Sequence, residues 1–257
     1  MIQQKQIQWQ DQWSLFQNEE IFLFEDWIYP VTLKNFKDKN VLECGCGRGG
    51  HTALIAPIAQ EITAVDLNTI HLARERNKEF SNINFLTADI ATMDLKKEFD
   101  IVFSVGVVHH TNHPDKTFAN LKRHVKRGGN LIIWVYSKEG NFLAENIIEP
   151  VRKVFLRNLN KQWMLALSKF ITLLMYVPIY TVYLLPLKFL PYYDYFKNFR
   201  KLNFTRNTLN VFDKLNAPYV EFISQSRLEQ WYDKNEFEDI HISSYNGVSW
   251  RASGVKK

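Results

Sequence analysis

The chain has 257 residues, 46% of them hydrophobic and 23% charged, with a net charge of +5. That is the balance of a soluble globular protein, sized as one large domain or one domain with a sizeable insertion. Two cysteines, Cys44 and Cys46, exclude a disulfide framework and point to a reducing, cytoplasmic setting, and the polar start, Met1 to Gln4, has no apolar signal core.

Aromatic residues come first. Trp9, Trp13, Phe16, Phe22, Phe24, Trp27 and Tyr29 recur at loosely helical spacing and read as core or lid, with one or two closing over a ligand. Residues 40–43 read as a buried strand. The segment 41–50, VLECGCGRGG, runs from that strand into a glycine-rich turn, and a helix follows over 51–60. Residues 61–66 read as a second strand ending in Asp66, and 69–79 as a helix. Residues 84–87 are a third strand, followed by Ala88 and Asp89. A fourth strand spans 99–105, a helix 114–125, a turn 126–129 and a fifth strand 130–136. Strands alternating with helices imply parallel pairing through right-handed crossovers, with helices on both faces.

Residues 137–222 interrupt this scheme and are rich in Phe, Tyr, Leu and Lys. Within them, 151–210 hold ten Lys or Arg and one acid, Asp194. The stretch 170–187 carries no charge and approaches the roughly 17–25 residues of a membrane span. Pro178, Pro186, Thr172 and Thr181 weaken that reading. Three options stand, in this order: a helical cap over a substrate pocket, a helical hairpin docked on a membrane through 163–191, and a span.

After the insertion, Ser226 to Glu229 forms a capping-box pattern that opens a helix through 231–234. Residues 237–244 read as a strand, Asn246-Gly247 as a two-residue hairpin turn, and 248–255 as the returning strand. Rossmann dehydrogenases do not end in such a hairpin. The expected divisions are 1–136, N-terminal helices with the cofactor-binding half of a domain; 137–222, a helical, basic and aromatic lid; and 223–257, the helix and hairpin that complete the domain.

The glycine turn points to a nucleotide-type pocket at the end of a parallel sheet. Gly45, Gly47 and Gly50 also satisfy the dinucleotide spacing G-x-G-x-x-G, so the loop by itself fits NAD. Glu43 argues otherwise, because a carboxylate there repels a pyrophosphate but suits the amino group of a methionine moiety. Asp66 lies about 20 residues beyond the glycines, the spacing of an acid that meets ribose hydroxyls. Asp89 follows the third strand and can accept from an exocyclic amine. Three acids at successive strand ends favour S-adenosylmethionine (SAM) over NAD.

Residues 41–49, Ala64 to Leu67, Thr87 to Ile90, Phe99 to Thr111 and Lys126 to Gly129 together resemble class I SAM-dependent methyltransferases. Gly106 to Thr111, GVVHHT, resembles the G-V-L-H-H-T variant of small-molecule methyltransferases. The resemblance implies an α/β Rossmann-like sheet of seven strands, ordered 3-2-1-4-5-7-6 with the last antiparallel, and a helical lid between strands 5 and 6. It implies Glu43, Gly45, Cys46, Gly47 and Gly49 near the methionine end, Asp66 with Leu67 at the ribose, Asp89 with Ile90 at the adenine, and Ser104 and Val105 beside the cofactor. His109 and His110 fall where the fourth strand opens, and either could serve as general base for an acceptor hydroxyl; the alternative is loop capping and packing. Tyr136 and His110 are the substrate candidates. A zinc site on Cys44, Cys46 and His51, or a metal on His109, His110 and His113, ranks below these roles, and no metal is expected.

The expected activity is methylation of a small or lipid-linked molecule, on oxygen first and on nitrogen or carbon otherwise, leaving S-adenosylhomocysteine. Nucleic acid is not expected as a partner, since no RNA-binding module accompanies the basic segment. The alternatives are an NAD-type oxidoreductase and a membrane-associated, non-catalytic SAM-binding protein, in a chain that acts as monomer or homodimer.

Overall fold

The computed structural model describes residues 21–156, 159–216 and 219–257. Expectations for Trp9, Trp13 and Phe16, and for the Phe22 side chain, fall outside the described part. The strands are β1 (Asn40–Cys44), β2 (Glu61–Asp66), β3 (Ile83–Thr87), β4 (Phe99–Val105), β5 (Val125–Tyr136), β6 (Phe237–Tyr245) and β7 (Ser249–Lys256). They form one sheet ordered β3-β2-β1-β4-β5-β7-β6, as the resemblance implies. Pairing is parallel from β3 to β5, and β7 runs antiparallel to both β5 and β6. The labelled helices are α1 (Ile21–Ile28), α2 (Gly50–Ile55), α3 (Ile70–Arg76), α4 (Pro114–Arg123), α5 (Lys161–Ile179), α6 (Tyr193–Phe199), α7 (Phe204–Asn216) and α8 (Gln225–Trp231).

Alternation along the strands divides the core between two faces. Val41, Ile101, Phe103 and Ile132 pack with Phe24, Ile28 and Ile55 of α1 and α2. Their neighbours Leu42, Val102, Leu131 and Ile133 pack with Phe118, Leu121 and Trp231 of α4 and α8. The sheet is therefore covered on both sides, and ligand access is confined to strand ends.

Some boundaries differ from the sequence reading, each for a local reason. Helix α2 stops at Ile55, ahead of Pro57, which cannot donate the next helical hydrogen bond. The expected turn 126–129 lies inside β5. Phe99 pairs with Val125 and Ile101 with Asn130, so those four residues bulge out of register, with Gly128 at φ +73°. The cap of α8 is Ser224, whose side chain accepts from the Arg227 N–H at 3.3 Å, and the helix ends at Trp231. Asn246 (φ 52°) and Gly247 (φ 70°) turn the terminal hairpin as expected.

The chain leaves the sheet after Tyr136 and returns at Ile223. There the Ile223 N–H donates to the Tyr136 carbonyl at 2.9 Å and the Lys138 N–H to that of Ile223 at 3.0 Å. Between these points lie an irregular helical stretch over 144–156 and helices α5, α6 and α7. Met164 of α5 packs with Leu209 and Phe212 of α7, while Ile179, Phe199 and Val211 form a second small cluster. Among the described residues, α5 is the one helix long and apolar enough to cross a membrane by length and composition.

Candidate active site

The ends of β1 to β5 open onto one cavity of about 530 Å³. On one side lie Gly45, Cys46, Gly47, Asp66, Leu67, Asp89, Ile90 and Val105, all singled out from sequence. Gly45 sits at φ +86°, and a Cβ there would stand 2.5 Å from Val107 Cγ2. The Gly47 N–H donates to Asp66 Oδ2 at 3.0 Å. The other carboxylate oxygen, Asp66 Oδ1, accepts from the N–H groups of Asn68 (2.9 Å) and Thr69 (3.0 Å). The Thr69 hydroxyl returns a bond to the Gly47 carbonyl at 2.6 Å. These bonds tie the glycine loop to the turn after β2 and fix the direction of the Asp66 carboxylate. Asp89 is exposed, with Oδ1 accepting from the Ala91 N–H at 2.8 Å.

Four residues singled out from sequence do not line the cavity. Glu43 is 1% exposed. It accepts from the Thr52 hydroxyl, and its Oε1 lies 3.7 Å from His51 Nδ1. It therefore reaches the cavity through His51, which does line it. Burial, with Arg206 and Arg76 adding to it, lowers the His51 pKa to about 3, so the ring is neutral. Gly49 (φ +72°) serves packing, since a Cβ there would meet the Asn77 side-chain nitrogen at 2.4 Å. The Ser104 hydroxyl donates to the Cys44 carbonyl at 2.8 Å, tying β4 to β1. His109 is fully buried, its ring 4.4 Å from that of Tyr136, and neither ring nitrogen has a hydrogen-bond partner. Burial holds its pKa far below the ordinary range. A ring enclosed in this way packs against Tyr136 and does not line the cavity.

His110 and Tyr136 form the other side, joined by Trp27, Trp134, Arg206, Asn210, Asp213 and Tyr219. The Trp27 and Trp134 rings meet tilted, their centroids 5.2 Å apart, with the Arg206 guanidinium 5.9 Å over the Trp27 ring. His110 Nδ1 lies 2.8 Å from the Tyr219 carbonyl. A carbonyl only accepts, so Nδ1 carries the proton and Nε2 is the basic nitrogen of the neutral ring. Burial lowers the His110 pKa, against the opposing pull of Asp213 and the Tyr219 carbonyl. The Tyr136 hydroxyl donates to Asp213 Oδ2 at 2.7 Å. Burial and the Asp213 charge push the Tyr136 pKa well up.

Arg206, Asn210, Asp213 and Tyr219 are site residues that sequence reading missed. The first three lie on α7, at positions i, i+4 and i+7 of an amphipathic helix, and that spacing was the available signal. Among the described residues no group of three or more His, Cys, Asp or Glu could hold a metal ion. Cys44 and Cys46 are buried, and burial raises both thiols well above the ordinary range, away from the thiolate that zinc needs.

Residues 42–133 match a family model described as a methyltransferase domain. The tRNA U34 carboxymethyltransferase of Pseudoalteromonas translucida (strain TAC 125) is 30% identical over 124 residues, 45% of this chain and 38% of that protein. The malonyl-[acyl-carrier protein] O-methyltransferase of Paenibacillus sp. (strain JDR-2) is 33% identical over 109 residues, 38% of this chain and 39% of that protein. The matched part is thus well under half of these relatives. Among solved structures, N-methyltransferase NodS from Bradyrhizobium japonicum WM9, in complex with S-adenosylhomocysteine, has a TM-score of 0.52 at 13% identity, covering 99% of this chain and 97% of that one. Magnesium protoporphyrin IX methyltransferase from Synechocystis PCC 6803, with bound S-adenosylhomocysteine, also scores 0.52 at 13% identity, covering 100% and 88%. At such identity the likeness is one of fold. With a tRNA-modifying protein among the relatives, the expectation of no nucleic-acid partner loses its support. Residues 42–133 are thus similar to methyltransferase domains, and the strand order is that of the class I SAM-dependent methyltransferase fold.

Proposed function

We propose that the protein is a SAM-dependent methyltransferase that methylates an oxygen of a small or lipid-linked acceptor. Support comes from the single cavity that runs from Gly45, Asp66 and Asp89 to His110, Tyr136 and Asp213. Its donor set fits the cofactor. The glycine loop lets backbone approach closely, two carboxylates suit a nucleoside, and Ile90, Val105 and Val107 give an apolar wall. SAM, when bound, supplies a methyl group made electrophilic by its sulfonium.

The chain's own residues do the rest. Asp66 and Asp89 hold the nucleoside, and Glu43 steadies the methionine side through His51. The acceptor lies against Tyr136, Trp134 and the α7 residues, with 137–222 as the lid that shapes its place. Nε2 of His110 takes the acceptor hydroxyl proton, a contribution of roughly 10²–10⁴-fold for a general base. Orientation within the enclosed cavity supplies much of the remainder.

Calorimetry with SAM against NAD tests the cofactor, and tight NAD binding without SAM binding would overturn it. Transfer of labelled methyl into lipid extracts, small metabolites and bulk tRNA tests the acceptor class. Label entering tRNA alone would replace the small or lipid-linked acceptor, and SAM binding without transfer to any fraction would favour a non-catalytic binder.

A further inference from the structure

The apolar pattern of α5 is inverted relative to a helix that caps a pocket. Its buried residues are Met164, Ser168, Thr172 and Ile179. The Ser168 hydroxyl donates to the Met164 carbonyl (2.8 Å) and the Thr172 hydroxyl to the Ser168 carbonyl (2.7 Å). Both hydroxyls are thereby satisfied within the helix where it packs on α7. The large apolar side chains face away. Trp163, Phe170, Leu173, Leu174 and Val177 are 53–70% exposed. At about 100° per residue the buried and exposed sets fall on opposite sides of the helix. The segment after α5 adds Phe189, 81% exposed.

The charge around this face has one sign. Residues 159–203 carry Lys161, Lys169, Lys188, Lys197, Arg200 and Lys201 against a single acid, Asp194. Lys169, Lys188, Lys197 and Lys201 are exposed. We infer that the outward face of α5 docks the protein on an anionic lipid surface, with the helix lying in the interface plane. Exposed aromatic and aliphatic side chains beside lysines match the headgroup–acyl boundary of such a surface. A second copy of this chain would bring the same excess of positive charge against itself. A span would strip α5 of its packing against Leu209 and Phe212 of α7.

Helix α7 connects this face with the site, since Arg206, Asn210 and Asp213 line the cavity while Leu209 and Phe212 pack toward α5. The docking itself does not depend on which cofactor or acceptor the site takes.

Flotation of the full chain with vesicles of phosphatidylcholine, with and without phosphatidylglycerol, is the test. The protein should float with the anionic vesicles only, less so as salt is raised. Lys169→Gln should cut recovery roughly fivefold, the worth of one basic residue near an anionic surface. Phe170→Asp combined with Leu174→Asp should cut it about a hundredfold, the loss of two buried apolar side chains. These three side chains are exposed, and unchanged calorimetry with SAM would report an intact fold. Absence of the parent protein from the anionic vesicle fraction would overturn docking whatever the variants do. Equal flotation of parent and double variant would also overturn it, as would a dimer that the double substitution dissociates in a protein that does not float.

Discussion

The hydroxyl of Tyr136, at the end of β5, donates to Asp213 of α7 at 2.7 Å, a bond that joins residues 77 positions apart. The sheet and the insertion meet through this bond beside the cavity. Lys214 reinforces it, with Nζ 5.2 Å over the Tyr136 ring and donating to the Tyr195 hydroxyl at 3.1 Å. The bond is charge-assisted and its donor half-buried, so it fixes where α7 stands over the cavity. Asp213 also raises the proton affinity of His110 against the larger effect of burial.

Asp213→Asn keeps the shape and removes the charge. A charge-assisted bond is worth about 1.5–3 kcal/mol, so turnover should fall by roughly tenfold to a hundredfold. The SAM dissociation constant should hold, because Asp213 is remote from the glycine loop. Steady-state kinetics with the acceptor, beside calorimetry with SAM, separates the two. An equal weakening of SAM binding would mean that the Tyr136–Asp213 bond supports the whole cavity.

Asp66→Ala should act on the opposite side. Three backbone N–H groups, of Gly47, Asn68 and Thr69, lose their acceptor together. The ribose hydroxyls lose theirs as well. Even one such loss costs about 1–3 kcal/mol, so SAM affinity should drop by well over tenfold. Calorimetry reads this directly, and unchanged affinity would remove Asp66 from the cofactor site.

Strand order and the glycine-loop side of the cavity were legible in the sequence because they depend on local signals. Apolar runs mark β1 to β5, glycines mark the turn after β1, and Asn246-Gly247 marks the terminal hairpin. Glu43, Ser104 and His109, expected at the site, do not line the cavity. Glu43 and Ser104 point across to Thr52 and to the Cys44 carbonyl, and His109 turns inward behind Tyr136. Strand alternation gives the face that Glu43 takes in β1 and Ser104 in β4 but not the partner met there, and His109, beyond the end of β4, obeys no such period. The side around His110 and Tyr136 was legible only in part, because Arg206 and Asp213 reach it through the packing of α7, which no motif encodes.

Gly45→Ala tests how tightly the glycine loop is held. The new Cβ would stand 2.5 Å from Val107 Cγ2, at a φ of +86° that L side chains avoid. Val107 lines the cavity, so relief of the clash deforms the pocket. Strain of this kind costs about 1–3 kcal/mol. The variant should unfold at lower denaturant and bind SAM more weakly, both measurable in one titration series. Parent-like stability would show that the loop can shift as a unit.

His110 sets the expected pH dependence. Its pKa is lowered from the ordinary 6.5, first by burial, so the neutral base is the dominant form at pH 7. Protonation removes the Nε2 lone pair, so turnover should fall as pH drops through a midpoint below 6.5 and lie flat above it. Folding stability follows the same sign. The unfolded chain binds a proton near 6.5 that the folded ring resists, so stability is kept above that pH and declines below it. His110→Ala should leave SAM binding intact, slow turnover by roughly 10²-fold or more, and abolish the acidic limb of the rate profile. A rate profile from His110→Ala that keeps the same acidic limb would return His110 to a packing role beside Tyr219.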